Sequence, residues 1–154
     1  PDKVFDYKKL RSIISKDVPL AIGESFTSYS EYESFADFIQ FFQLDVTHGG
    51  SFFDLANTID NLLANSPNLR FTSHVWGSGI SVLLNLAFAR ATNCIKWFEI
   101  PMIEFAINKY LFPDLNMNEI RSLSNNDIDL LLNSIDLSSF DEFKFVEGSG
   151  YRIS

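Results

Sequence analysis

Three times in succession an apolar run closes on an ionisable side chain and gives way to a helix-like pattern. That repetition constrains the fold more than any other property of the chain. Residues Phe71-Thr72-Ser73-His74 end on a histidine, after which Val75-Trp76-Gly77-Ser78-Gly79 turns into a long apolar segment. Upstream, Phe42-Gln43-Leu44-Asp45-Val46 and Leu20-Ala21-Ile22-Gly23-Glu24 do the same with carboxylates. Intervals of roughly 20–30 residues between these points suit successive strand-helix units feeding a parallel sheet. They place Glu24, Asp45 and His74 at the carboxyl ends of strands, where α/β enzymes keep their chemistry.

The pattern along the chain supports an α/β reading. Val4, Tyr7, Leu10, Ile13 and Ile14 recur at helical spacing with Asp6, Lys8, Lys9 and Arg11 opposite, which predicts an amphipathic helix over residues 5–15. A strand is expected over 18–23, then a helix over 31–41 that buries Phe35, Phe38 and Ile39, with Ser28 or Ser30 as its cap. A second strand over 42–46 meets Thr47-His48-Gly49-Gly50, whose glycines permit a tight turn into a helix over 52–63. The third strand, 70–74, leads to a helix over 79–91, and 95–100 reads as a short final strand or extended segment stopped by Pro101. Further on, 102–111 has helical character, Pro113 breaks it, 126–135 gives an acidic helical pattern, and 142–153 suits a hairpin or a strap. The organisation expected is therefore an α/β portion over 1–101 and a tail over 102–154 packing on it or on a capping region.

Bulk properties narrow the function classes. The 154 residues, 46% hydrophobic and 15% aromatic, can build one sizeable core, which argues against disorder. A net charge of −8 and no basic cluster disfavour nucleic acid, whose affinity comes largely from Lys and Arg on phosphates. No apolar run approaches the ~20 residues of a membrane span; the longest, 80–88, is interrupted by Ser81 and Asn85. Cys94, the single cysteine, has no internal disulfide partner and reads as a small buried thiol, which fits a reducing cytoplasm. A charged-then-apolar leader is not seen at the start, and opening on Pro1 suits a piece of a longer protein.

Four ordered stretches, Val18-Pro19-Leu20-Ala21-Ile22-Gly23-Glu24, Leu44-Asp45-Val46-Thr47-His48-Gly49-Gly50, Ser73-His74-Val75-Trp76-Gly77-Ser78 and Phe98-Glu99-Ile100-Pro101, resemble the enolase superfamily, specifically its mandelate racemase and muconate lactonizing enzyme group. The resemblance covers residues 1–101. It implies the carboxyl-terminal portion, about strands six to eight, of a modified (β/α) TIM-type barrel, a fold that needs about 250 residues when whole. It also implies a magnesium-dependent enzyme that takes the α-proton of a hydroxy-acid or sugar-acid carboxylate, works as a homo-oligomer, and engages neither nucleic acid nor membrane. Dehydration is the expected outcome, with racemisation or epimerisation as the alternative.

The same resemblance assigns roles. Glu24 matches the third magnesium ligand, the other two carboxylates lying in earlier strands. His74 and Asp45 match a histidine-aspartate dyad in which the carboxylate fixes the imidazole tautomer and raises its basicity for general acid/base work. Glu99 matches the glutamate that hydrogen-bonds the substrate carboxylate. The lysine-based subgroup is disfavoured, because no lysine lies between Asp17 and Arg70. His48 reads as a loop residue, Trp76 as wall, and Gly77-Ser78-Gly79 as a plain strand-helix turn. Ser25 and Ser78 lack the Gly-x-Ser-x-Gly context of a hydrolase nucleophile. From another class altogether, a binding module without a metal site remains the rival reading for this polypeptide alone.

Overall fold

The computed structural model describes residues 3–77, 79–99, 125–134, 144–146 and 150–152. Helix α1 (Lys3–Ile13) is followed by β1 (Ala21–Ile22), α2 (Tyr29–Phe35), β2 (Phe41–Leu44), α3 (Phe52–Asn65), β3 (Arg70–Ser73), α4 (Gly79–Thr92) and β4 (Ile95–Phe98). The four strands form one parallel sheet in chain order, β1-β2-β3-β4. The final segment expected to be short is thus a full member of the sheet, and the portion contains four strands.

Local chemistry explains why the helices start where they do. Ser51 caps α3, its hydroxyl oxygen accepting from the Asp54 N–H at 3.1 Å, and Leu55, Thr58, Ile59 and Leu62 then bury one face at helical spacing. At α2, Glu31 reaches back so that its carboxylate accepts from the Ser28 and Thr27 N–H groups at 3.0 and 2.8 Å. Of the two serines expected to cap this helix, Ser28 is the one that does.

Helix α2 is shorter than the expected 31–41. It ends at Phe35, and the Gln40 and Phe41 N–H groups both donate to the Leu20 carbonyl, which draws Phe41 into β2 beside Ala21. Sheet pairing outweighs helical periodicity here. Phe35, Phe38 and Ile39 are nonetheless all buried, the last two from the turn after the helix. Strand β1 is also shorter than expected, two residues within 18–23.

The alternation of each strand divides the molecule into two faces. On one, Phe42, Leu44 and Phe71 are buried against Tyr32, Phe35, Leu55, Ile59, Leu62 and Phe88 in a single core. Aromatic edges meet faces throughout it, as in Tyr32 with Phe42 and Phe52 with Phe88, centroids 5.2 and 4.8 Å apart. The opposite face carries Phe41, Gln43, Arg70, Thr72 and Trp97. There Trp97 is 53% exposed, its ring 5.1 Å from Phe41.

Helix α1 docks on the core through Val4 and Tyr7, the latter edge-on to Phe35. Its Arg11 donates to the Val18 and Ser15 carbonyls and to Gln40 Oε1, tying the helix to the entry of β1. In the tail, α5 (Asn125–Ser134) is held to α4 by Arg90, whose Nε and Nη2 grip both oxygens of Asp129 at 2.8 and 2.9 Å. Strands β5 (Lys144–Val146) and β6 (Gly150–Arg152) form an antiparallel hairpin, as one of the two expectations for that segment had it. The helix expected over 102–111 and its break at Pro113 lie outside the described residues. Cys94 is half-buried rather than buried, its thiol donating to Thr92 Oγ1 at 3.3 Å. Among the described residues no helix is long and apolar enough to cross a membrane.

Candidate functional site

The ladder hydrogen bonds carry on one residue past β3 and β4. The His74 N–H donates to the Leu44 carbonyl at 2.9 Å and the Glu99 N–H to the Ser73 carbonyl at 2.9 Å. Both side chains are therefore held by regular sheet geometry at the carboxyl edge. Glu24 arrives through Gly23, whose φ of +123° is open to glycine and strained for other residues; a Cβ there would stand 3.2 Å from the Gln43 carbonyl and from the Tyr32 ring. The sharp exit from β1 aims Glu24 across the edge.

Glu24 and His74 meet. The His74 Nε2 lies 3.2 Å from Glu24 Oε2, with the imidazole 25% and the carboxylate 55% exposed. Glu99, also exposed, accepts from Gln43 Nε2 at 2.9 Å. A cavity of about 330 Å³ opens on the Glu24 side, between the exit of β1 and Tyr7, Phe26 and Gln43; His74 and Glu99 do not line it. An imidazole and two carboxylates thus border an accessible edge, an arrangement able to move a proton and to orient a small carboxylic acid.

Asp45 stands apart from the expectation of a hydrogen bond to His74. Its side chain is 2% exposed, and Oδ1 accepts from Thr47 N at 2.9 Å, Thr47 Oγ1 at 2.6 Å and Asn85 Nδ2 at 2.9 Å. His74, among the described residues, has its ring contact with Glu24 instead. The physical reason is that β2 ends at Leu44, and the turn after it and helix α4 bring the Thr47 and Asn85 donors to Asp45 Oδ1. His48 is exposed in that loop, as expected, and Trp76 is 62% exposed.

Two residues escaped the sequence reading. Gln43 was legible only as an inward polar position in an apolar strand. Asn85, 1% exposed, is visible in the sequence only as the amide that interrupts the apolar run of α4. Its Nδ2 donates to Asp45 Oδ1 and the Ser81 carbonyl, and its Oδ1 accepts from Val46 N and Ser73 Oγ.

The described residues offer a metal ion little. Glu24 fits as one hard oxygen ligand, but no group of three or more His, Cys, Asp or Glu is gathered among them. They do not form a complete magnesium site.

Comparison with known proteins agrees with this architecture. Among solved structures, a member of the enolase superfamily from Polaromonas sp. JS666 matches 99% of this chain and 40% of its own, at 18% identity and a TM-score of 0.66. A mandelate racemase/muconate lactonizing enzyme-like protein from Roseovarius sp. TM1035 matches 73% of this chain and 28% of its own, at 18% identity and TM-score 0.61. The 3,6-anhydro-D-galactonate cycloisomerase from Zobellia galactanivorans matches 72% and 31%, at 20% identity and TM-score 0.59. The chain spans well under half the length of each of these proteins. No curated protein matches. The family of enolase C-terminal domain-like proteins matches over residues 1–120, and with the parallel sheet and its edge residues in place, the chain belongs to that family, within the enolase superfamily.

Proposed function

We propose that these residues are part of an enzyme that removes the α-proton of a hydroxy-acid or sugar-acid carboxylate, with His74 as the group that takes the proton. The observation that carries this is the placement of His74 Nε2 next to Glu24 on the accessible carboxyl edge of the sheet. In the complete barrel the imidazole nitrogen accepts the proton from the α-carbon, and the electron pair spreads into the substrate carboxylate. Glu99, oriented by Gln43, holds that carboxylate when it is protonated. In dehydration the proton returns to the hydroxyl on the β-carbon, the C–O bond breaks and water leaves. Magnesium, when bound, supplies positive charge to the substrate oxygens, with Glu24 as one of its ligands.

Two other readings have support. Racemisation or epimerisation is the alternative, since it begins with the same removal of the α-proton and differs only in returning that proton to carbon. A non-catalytic role for this polypeptide by itself is favoured by the incomplete ligand set among the described residues. The test is proton nuclear magnetic resonance in deuterated buffer with magnesium and a panel of five- and six-carbon aldonates, using the complete enzyme. Loss of the α-proton signal, with a dehydrated keto-acid appearing, supports the dehydratase; exchange or inversion with no loss of water supports the isomerase. An unchanged panel argues against α-proton chemistry.

A further inference from the structure

Asn85 is an amide buried in the apolar face of α4, and burial of an amide is costly unless its hydrogen-bonding capacity is used. Here all four positions are used. Both Nδ2 hydrogens are donated, to Asp45 Oδ1 at 2.9 Å and to the Ser81 carbonyl at 3.0 Å, and Oδ1 accepts from Val46 N at 3.2 Å and Ser73 Oγ at 3.1 Å. The orientation of the amide follows from its partners: a backbone N–H at Val46 can face only the oxygen, and a carboxylate at Asp45 only the NH2. One side chain thus joins the end of β2, the residue before His74 and the first turns of its own helix.

The consequence falls on Asp45. Every hydrogen bond it receives from the described residues lands on Oδ1, from Asn85 and from the Thr47 N–H and hydroxyl, and none of these residues donates to Oδ2. We propose that Asn85 is a positioning residue: it holds Asp45 by Oδ1 so that Oδ2 is the oxygen offered to the His74 imidazole when the substrate occupies the edge and His74 swings from Glu24. The functional half of this rests on the proton-transfer reading above; the orientation of Asp45 does not.

The orientation is tested first, on the chain itself. With ¹³C at aspartate Cγ, the Asp45 resonance is assigned by its disappearance in Asp45→Asn and followed in three variants. Asn85→Asp keeps the acceptor toward Val46 and Ser73 but replaces the donor toward Asp45 with an oxygen. Asn85→Leu removes all four bonds at similar volume. Ser73→Ala removes one bond while sparing Asp45. The expected result is a displaced Asp45 resonance in Asn85→Asp and in any folded Asn85→Leu, with Ser73→Ala close to wild type. An unmoved resonance in Asn85→Asp, or an equal displacement in Ser73→Ala, overturns the proposal.

The complete enzyme then separates the two claims by α-proton exchange on the aldonate panel. Asn85→Asp is expected to lower kcat by roughly 10–100-fold, the usual effect of removing a partner that orients a functional group, with KM nearly unchanged. Asp45→Asn combined with Asn85→Asp should lose no more than Asp45→Asn alone, because both act through one carboxylate. Additive losses overturn positioning through Asp45. If the wild-type enzyme exchanges no α-proton while the Asp45 resonance still follows Asn85, the orientation stands and the proton-transfer reading falls.

Discussion

Two histidines occur in the sequence, and position separates their fates: His48 sits in an exposed turn, whereas His74 is fixed by its backbone to Leu44 and meets Glu24 at 3.2 Å. If His74 carries the proton, His74→Asn in the complete enzyme should slow turnover by roughly 10²–10⁴-fold, the size of a general acid/base contribution, while the fold and metal affinity persist. Solvent deuterium exchange at the substrate α-carbon is the measurement, and undiminished exchange would return His74 to a structural role. The strand-end positions of Glu24 and His74 were legible in the sequence because each closes an apolar run, whereas Glu99 was marked only by the family likeness. The hydrogen-bond partner of Asp45 was not, because which donor a carboxylate meets depends on a helix 40 residues away. The dyad implied by family likeness has its carboxylate engaged by Asn85 and Thr47 in this structure, and Gln43 behind Glu99 was equally silent in one dimension.

Element by element, periodicity located every helix and strand of the parallel unit, and boundaries failed where tertiary pairing competed with it. Residues 36–41 have apolar spacing compatible with a longer α2, yet Phe41 gains more as a strand residue between Ala21 and Arg70. The start of α2 is a clearer case, since Ser28 and Glu31 are the capping pattern itself. Hydrogen bonds from Thr27 and Ser28 hold the Glu31 carboxyl below its ordinary value of 4.5. A lowered folded-state value means that Glu31 stabilises the chain above about pH 4.5 and that this contribution is lost as pH falls through the folded-state value. Urea denaturation of wild type and Glu31→Gln should therefore differ most near pH 7 and converge toward pH 3; a gap independent of pH would assign the effect to shape rather than charge. At the exit of β1, Gly23→Ala places a side chain at φ +123° against the Gln43 carbonyl. It should cost about 1–3 kcal/mol, read as a lower urea midpoint with an unchanged slope.

At the scale of the molecule, four parallel strands are half of the eight in a closed (β/α) barrel. Strands β1 and β4 are the outer members of this sheet, and its inward face shows Phe41 and a half-exposed Trp97. Among the described residues nothing pairs with the outer sides of β1 and β4, and unpaired edges with open apolar area favour association, so the chain by itself should sediment as oligomers whose size grows with concentration. A monodisperse monomer with a cooperative thermal transition would show that other residues of the chain cover this face. The same incompleteness governs the metal. Magnesium takes six oxygens in near-ideal octahedral geometry and gives up its water reluctantly, so its affinity depends on how many carboxylates converge. Among the described residues Glu24 is the one carboxylate that fits as a ligand, Asp45 is buried and engaged, Glu99 is held by Gln43, and the imidazole nearest Glu24 is a poor partner for so hard a cation. Calorimetric titration of the chain with magnesium chloride is therefore expected to give no saturable binding in the micromolar range, and Glu24→Gln should leave the isotherm unchanged. Micromolar binding that vanishes in Glu24→Gln would mean that further carboxylates reach Glu24, from elsewhere in the chain or from a second copy. Repeating the titration across a range of protein concentrations separates those two sources, since only assembly between copies makes the affinity rise with concentration.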